Sequence, residues 1–204
     1  MPTRGYEQKA RAAAAEQTRT AVIEAVFERL RKAPAERISV DQVAKDAGVA
    51  RSTVYAIFGS RSGMFEAVGR ELARRSGYEE LLDAKHQPDA RKHLRGGIRA
   101  GNAMFAANRE IYRALHSMAQ LDEDAVGGAV EAEEAERSRG MARLAGRLAE
   151  QGLLRKGLSA ADAAAILWVL TSFESFDLLF TGRDMTEEKA TAQIVAMAER
   201  ALYA

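Results

Sequence analysis

The sequence predicts an all-α protein. Three observations carry that reading. Only three prolines occur in 204 residues and none lies beyond Pro88, alanine is abundant throughout, and apolar residues recur at helical spacing between residues suited to capping helix ends. A chain of this length can bury one large core, or one substantial domain with a small one attached. Hydrophobic residues make up 47% and charged residues 29%, the balance of a soluble globular protein.

The absence of cysteine excludes disulfides and thiolate metal sites and fits a reducing compartment. No apolar run approaches the roughly 18 residues of a membrane span. The first residues, MPTRGYEQKARAAAA, lack the apolar stretch of a signal peptide. A cytoplasmic location is the expectation. The net charge of +1 hides an asymmetry, because residues 1–75 hold 14 Lys and Arg against 9 Asp and Glu, whereas residues 76–204 hold 16 against 20. A basic first third suggests that one end meets a polyanion.

Residues 1–16 are polar and alanine-rich and read as a flexible basic arm. From Thr18 the pattern turns helical, with Val22, Ile23, Val26, Phe27 and Leu30 on one stripe that ends at Pro34. Ser39-Val40-Asp41-Gln42 has the form of a capping box opening a short helix with Val40, Val43, Ala44 and Ala47 inward. Gly48 breaks it. A third helix follows from Arg51 to Phe58, then a fourth, near 61–84, that Ser60 can cap and in which Met64, Phe65, Val68 and Leu72 mark the buried side. Longer helices are expected over 90–106, 109–120, 123–153, 159–181 and 187–203.

Three short helices with a glycine turn between the second and third form a helix-turn-helix candidate. On a wheel with Arg51 at zero, Val54 and Phe58 fall at about 300° and 340° and belong in the core. The opposite side centres on Ser52 and Ala56, flanked by Arg51 and Tyr55 on one edge and Thr53 on the other. Small residues there let a helix sink into a major groove. Hydroxyls and a guanidinium reach base edges and phosphates, and the helix N-terminus favours phosphate.

Ala47-Gly48-Val49, then Ser52-Thr53-Val54-Tyr55 and Phe58, then Ser60-Arg61 and Met64-Phe65, resemble the N-terminal domain of TetR-family transcriptional regulators. The resemblance is close over residues 17–72, and beyond them extends only to architecture. It implies a homodimer whose paired N-terminal domains grip a roughly two-fold symmetric operator. It also implies DNA contacts at Thr53 and Tyr55, a phosphate contact from Arg61 where the family usually has lysine, and phosphate contacts from Ser39 and Gln42. Three positions depart from the family pattern: Ala50 replaces a capping serine, Ile57 a histidine or tyrosine, and Gly63 a glutamate. Arg4, Lys9, Arg11 and Arg19 could extend the footprint along phosphates or into a minor groove.

The division expected is an arm (1–16), a DNA-binding domain (17–62) and a helical effector-binding and dimerisation domain (63–204). The stretch Ala163–Phe180 is apolar nearly all round and must be covered on more than one side. With the amphipathic last helix it is expected to form the dimer interface, through Leu167, Leu170, Glu174 and Leu178 and through Ile194, Met197 and Ala201. For a small apolar or amphipathic effector, the candidates are Met104, Phe105, Tyr112, Leu115 and Met118, with Met141 and Leu144, and Trp168, Ser172 and Phe176. Glu174 and Asp177, at i and i+3, could do acid–base work or line an interface and pair with an arginine.

His86, His93 and His116 form no metal motif, and no cofactor is expected. The function expected is a repressor released from DNA by its effector. The alternatives are a DNA-binding regulator that lacks an effector or activates, and, more distantly, a small helical-bundle enzyme.

Overall fold

The computed structural model describes residues 4–34, 36–122 and 126–203, with side chains from residue 12 onward. Among the described residues every regular element is a helix. In chain order these are α1 (Arg4–Lys32), α2 (Val40–Asp46), α3 (Arg51–Phe58), α4 (Arg61–Arg75), α5 (Tyr78–Lys85) and α6 (Ala90–Ala107). There follow α7 (Arg109–Leu121), α8 (Gly128–Glu150), α9 (Ala160–Leu170), α10 (Phe173–Phe180) and α11 (Glu187–Leu202).

The chain forms two compact units, Met1–Glu71 with Arg113–Glu131, and Leu72–Tyr112 with Ala132–Ala204. In the first, α1, α2 and α3 pack on one another. Val22, Ile23, Val26 and Leu30 of α1, Val43 of α2, Val54 of α3 and Met64, Phe65 and Val68 of α4 are all buried, at 1% exposure or less. The helical stripes expected for α1 and α4 are therefore the buried faces.

α1 starts at Arg4, so most of the stretch expected as an arm is helix. The run Ala12–Ala15 explains this, since alanine has the best helix propensity of any residue. The expectations for the side chains of Arg4, Lys9 and Arg11 lie outside the described residues. Arg19 stands over the Phe58 ring at 5.9 Å.

Three other helices differ from the sequence reading. The fourth helix stops at Arg75 because Gly77 adopts φ +87, and α5 begins afresh behind it. The stretch 159–181 is two helices that meet at 46°. Ser172 accepts from the Ser175 N–H and starts α10, while the Ser175 hydroxyl donates to the Val169 carbonyl at 2.6 Å. Local side-chain hydrogen bonds thus compete successfully with a continuous helical ladder. α8 opens at Gly128, and residues 123–125 lie outside the described residues.

The second unit has one apolar centre. Ala90, Leu94 and Ile98 of α6, Leu144, Ala145 and Leu148 of α8, Ala163 and Leu167 of α9, Phe176 of α10 and Ala190, Ile194, Ala198 and Leu202 of α11 meet there. Among the described residues no single helix is long and apolar enough to cross a membrane; α9 and α10 reach that composition only as a bent pair.

A polar clamp closes the turn between α5 and α6. Arg147 of α8 donates to the carbonyls of Lys85, Gln87 and Pro88 and, at 2.8 Å, to Nδ1 of the buried His93. Arginine can only donate, so Nδ1 accepts and the ring is neutral. Burial first, then the charges of Arg147 and Lys85, push the His93 pKa from 6.5 down to about 4. A folded value below the unfolded one means that this stability is complete above pH 6.5 and is lost as the pH falls to about 4. The loss should reach roughly 3 kcal/mol at most. Urea unfolding between pH 7 and about 4.5 should therefore show a steeper decline for the unaltered protein than for His93→Gln, whose side chain does not titrate.

Candidate nucleic-acid interface

Both ends of α2 are closed by local chemistry that the sequence spells out. The Ser39 Oγ accepts from the Gln42 N–H at 3.2 Å, and the Gln42 Oε1 accepts from the Ser39 N–H at 2.9 Å. This is the capping box, worth about 1 kcal/mol in helix stability. At the other end, the Val49 N–H reaches the Ala44 carbonyl and the Gly48 N–H the Lys45 carbonyl, with Gly48 at φ +66. That pairing is a Schellman motif, and its left-handed residue turns the chain into α3.

α3 ends on Gly59 at φ +75. Ser60 caps α4 by accepting from the Gly63 N–H at 2.9 Å. A Cβ on Gly63 would lie 2.2 Å from the Phe58 carbonyl oxygen, so a glutamate could not stand there without moving backbone. The departure at Gly63 thus follows from how closely α4 approaches α3.

α3 buries Val54 as its wheel requires, but Phe58, expected in the core, is only half-buried at the end of the helix. Arg51, Ser52, Tyr55 and Ala56 are exposed, and Thr53 and Ile57 are half-buried at the edges. Tyr55 is 38% exposed, and its hydroxyl accepts from Arg51 Nη2 at 3.5 Å. Arg51 pairs with Asp41 of α2 at 3.1 Å and lies 5.5 Å over the Tyr55 ring. With both side chains more than half exposed, that ion pair is screened by solvent and adds little to stability. Ala50 is the N-cap of α3 and makes no side-chain cap, so the first N–H groups of that helix stay open to an anionic partner.

Three expected contact residues are otherwise engaged. Ser39 and Gln42 spend their side chains on each other across the first turn of α2. Arg61 turns inward, with Nε and Nη2 donating to the Ile38 carbonyl at 2.9 and 2.6 Å and Nη1 against Asp122 at 2.7 Å. The reason is geometric. The planar fork suits a carbonyl and a carboxylate that the fold brings together, and the sequence places Asp122 61 positions away.

Residues 22–68 match a family described as bacterial regulatory proteins, tetR family. The N-terminal domain is that of the TetR family. The chain also shares its fold with solved TetR-type proteins. NalD, the secondary repressor of the MexAB-OprM multidrug efflux pump in Pseudomonas aeruginosa, is 21% identical with a TM-score of 0.72, over 93% of this chain and 98% of that one. A TetR family transcription regulator from Marinobacter aquaeolei VT8 is 15% identical with a TM-score of 0.68, over 94% and 98%. A TetR transcription regulator from Haloarcula marismortui is 14% identical with a TM-score of 0.68, over 92% and 98%. No curated protein matches in sequence. The TetR-type domain here is a DNA-binding helix-turn-helix module, and the exposed face of α3 is its outward side.

The residues expected to meet an effector fall in both units. In the second unit, Phe105, Tyr112, Phe173 and Phe176 make a ring cluster with centroids 5.1 to 6.1 Å apart. Phe173 has no counterpart in the sequence reading, although it lies three residues before Phe176. Met104 is buried, Met141 is partly buried against the core, and Leu144 is in it. Leu115 and Met118 are buried in the first unit. Ser172 is taken up in starting α10. Trp168 is 43% exposed, under the Arg137 guanidinium at 5.3 Å, and so faces outward.

The expected dimer residues divide likewise. Leu167 and Ile194 are at 0% exposure in the chain's own core and offer nothing to a partner. Leu178 is 70% exposed, Glu174 is exposed, and Leu170, Met197 and Ala201 are half-buried. Val169, absent from the sequence reading, joins Trp168 outside. The turn at Thr171-Ser172 sets which side of each short helix faces out, and no periodicity over 159–181 could reveal it. Asp177 accepts from Arg109 Nε at 2.5 Å and from the Thr181 hydroxyl at 2.7 Å, the arginine-paired reading of that acid.

Proposed function

We propose that this protein is a transcriptional repressor that binds operator DNA as a homodimer and leaves it when a small apolar or amphipathic molecule binds the second unit. The observation that carries the reading is the outward face of α3. It is small at Ser52 and Ala56, hydroxylated and cationic at its edges, and carried on a turn locked at both ends. Arg51, Ser52, Thr53 and Tyr55 are the DNA-contacting residues, Arg51 by exchanging Asp41 for a base edge or phosphate. NalD, similar in fold, is described as a repressor, which supports that sign of regulation.

Dimerisation is assigned to the exposed apolar strip of Trp168, Val169 and Leu178, with Leu170, Met197 and Ala201 beside it and Glu174 at its rim. Two copies of that strip make a self-complementary contact about a two-fold axis, the commonest symmetry of homo-oligomers. The effector site is assigned to the ring cluster of Phe105, Tyr112 and Phe176 with Met104 and Met141, whose pliable side chains can rearrange around an apolar guest. The effector acts by favouring a state in which the two α3 helices no longer match successive major grooves, about 34–36 Å apart. It does so only as far as it binds that state more tightly. The setting is the cytoplasm.

Mobility shift with the DNA upstream of the gene tests the reading. Tyr55→Ala should weaken binding about ten-fold or more, with an unchanged helical circular dichroism spectrum. Equal affinity of the two proteins for every duplex tried would remove α3 as the reader.

A further inference from the structure

Asp122 follows directly on α7, at the negative end of that helix's dipole, where an acid is disfavoured. Its side chain is nonetheless 7% exposed and meets two arginines, Arg61 Nη1 at 2.7 Å and Arg37 Nε at 3.0 Å. Burial pushes the carboxyl up, but the bonds and charges of Arg61 and then Arg37 outweigh it and hold the group below the usual carboxylate range. The acid is therefore charged at neutral pH, and its placement serves the arginines, not α7.

The rest of Arg61 is equally committed. Its Nε and Nη2 share the Ile38 carbonyl, and its guanidinium lies 5.4 Å over the Phe65 ring. Ile38 immediately precedes Ser39, the N-cap of α2. One guanidinium and one carboxylate thus tie three points of the first unit together: the entry to α2, the first residue of α4 and the end of α7.

We infer that Arg61 and Asp122 are positioning residues for DNA recognition, which hold the entry to α2 and with it the turn that presents α3, and that Arg61 is not a phosphate ligand. The inference rests on the DNA-binding reading above and gives Arg61 a different task from the one its resemblance implied. The distinction is chemical. A phosphate contact needs a positive charge, and lysine supplies it as well as arginine does. Spanning a carbonyl and a carboxylate with three directed N–H groups needs the planar fork, which lysine lacks.

The test uses the full chain and duplexes that the unaltered protein selects from a random-sequence pool, with affinities measured by fluorescence anisotropy across a salt series. Arg61→Lys should lose about ten-fold or more at fixed salt although its charge is kept. Its log–log salt slope should stay unchanged, since each phosphate no longer neutralised would flatten that slope by about 0.9. Asp122→Asn should lose comparably. The double variant should lose no more than the worse single one, because both changes break one link.

Thermal unfolding followed by circular dichroism establishes that each variant is folded at the assay temperature, and Arg61→Lys alone decides if Asp122→Asn does not fold. Unaltered affinity in either folded variant overturns the inference, as does a double variant whose loss is the product of the two single losses. Failure of the unaltered protein to select any duplex overturns the DNA-binding reading and this inference together.

Discussion

Replacing Ala56 with glutamate should abolish DNA binding and leave the fold intact. Ala56 is exposed at the centre of the outward face of α3. Glutamate is a good helix former, and substitutions at exposed sites usually change stability by less than about 0.5 kcal/mol. Against DNA the same change is severe. It sets a carboxylate between two rows of phosphates, where juxtaposed like charges cost several kcal/mol, and a dimer carries two copies. The dissociation constant should rise by about a hundred-fold or more. Ala56→Ser, small and uncharged, should bind within a few-fold of the unaltered protein. Anisotropy on a selected duplex reads both, with unfolding curves alongside. Tight binding by Ala56→Glu would mean that another surface meets the DNA.

Phe176→Ala should cost about 3–5 kcal/mol of folding stability, the usual range for emptying a buried aromatic site. Phe176 is at 0% exposure, with the Phe180 ring stacked at 5.1 Å and the Phe105 ring at 6.1 Å. It holds α10 against a core drawn from α6, α8, α9 and α11, and that core has no obvious way to collapse into the space. Two residues on, Leu178 is 70% exposed. Leu178→Glu should hardly change the stability of the isolated chain but should shift self-association toward monomer. Urea unfolding at two protein concentrations, with sedimentation velocity, separates the two effects, because only the dimer contribution depends on concentration. A Phe176→Ala loss below about 1 kcal/mol would mean that the ring cluster is loosely packed.

How far this protein could be read from its sequence depended on the range of the interactions involved. In the first unit, the stretch from α2 to the start of α4 was legible almost residue by residue. The capping box at Ser39 and Gln42, the glycine turn at Gly48, the Ser60 cap and the buried stripes of α1 and α4 are set by contacts within about five positions along the chain. The exposed face of α3 followed from the same helical geometry. The long helices α6, α7 and α11 also came within a residue of their expected ends.

What failed depended on partners far away in sequence, or on a choice between competing local bonds. Arg61 looked free because no acid lies within four positions of it; Asp122 reaches it only once the chain has folded. Leu167 and Ile194 looked like interface residues and Trp168 like an effector-site residue, whereas the first two are buried in the core and Trp168 is exposed. An apolar stretch does not say which side its own core will cover. The turn at Ser172 decided that, by an exchange of side-chain for backbone hydrogen bonds too small to detect in a pattern of hydrophobicity. The sequence by itself therefore determined the all-helical class, the capped short helices around α3 and the exposed face of α3, since each of these is written in periodicity and short-range hydrogen bonding. Only the tertiary structure decided which charges are available and which apolar faces are left over, because both depend on what the rest of the chain has already covered.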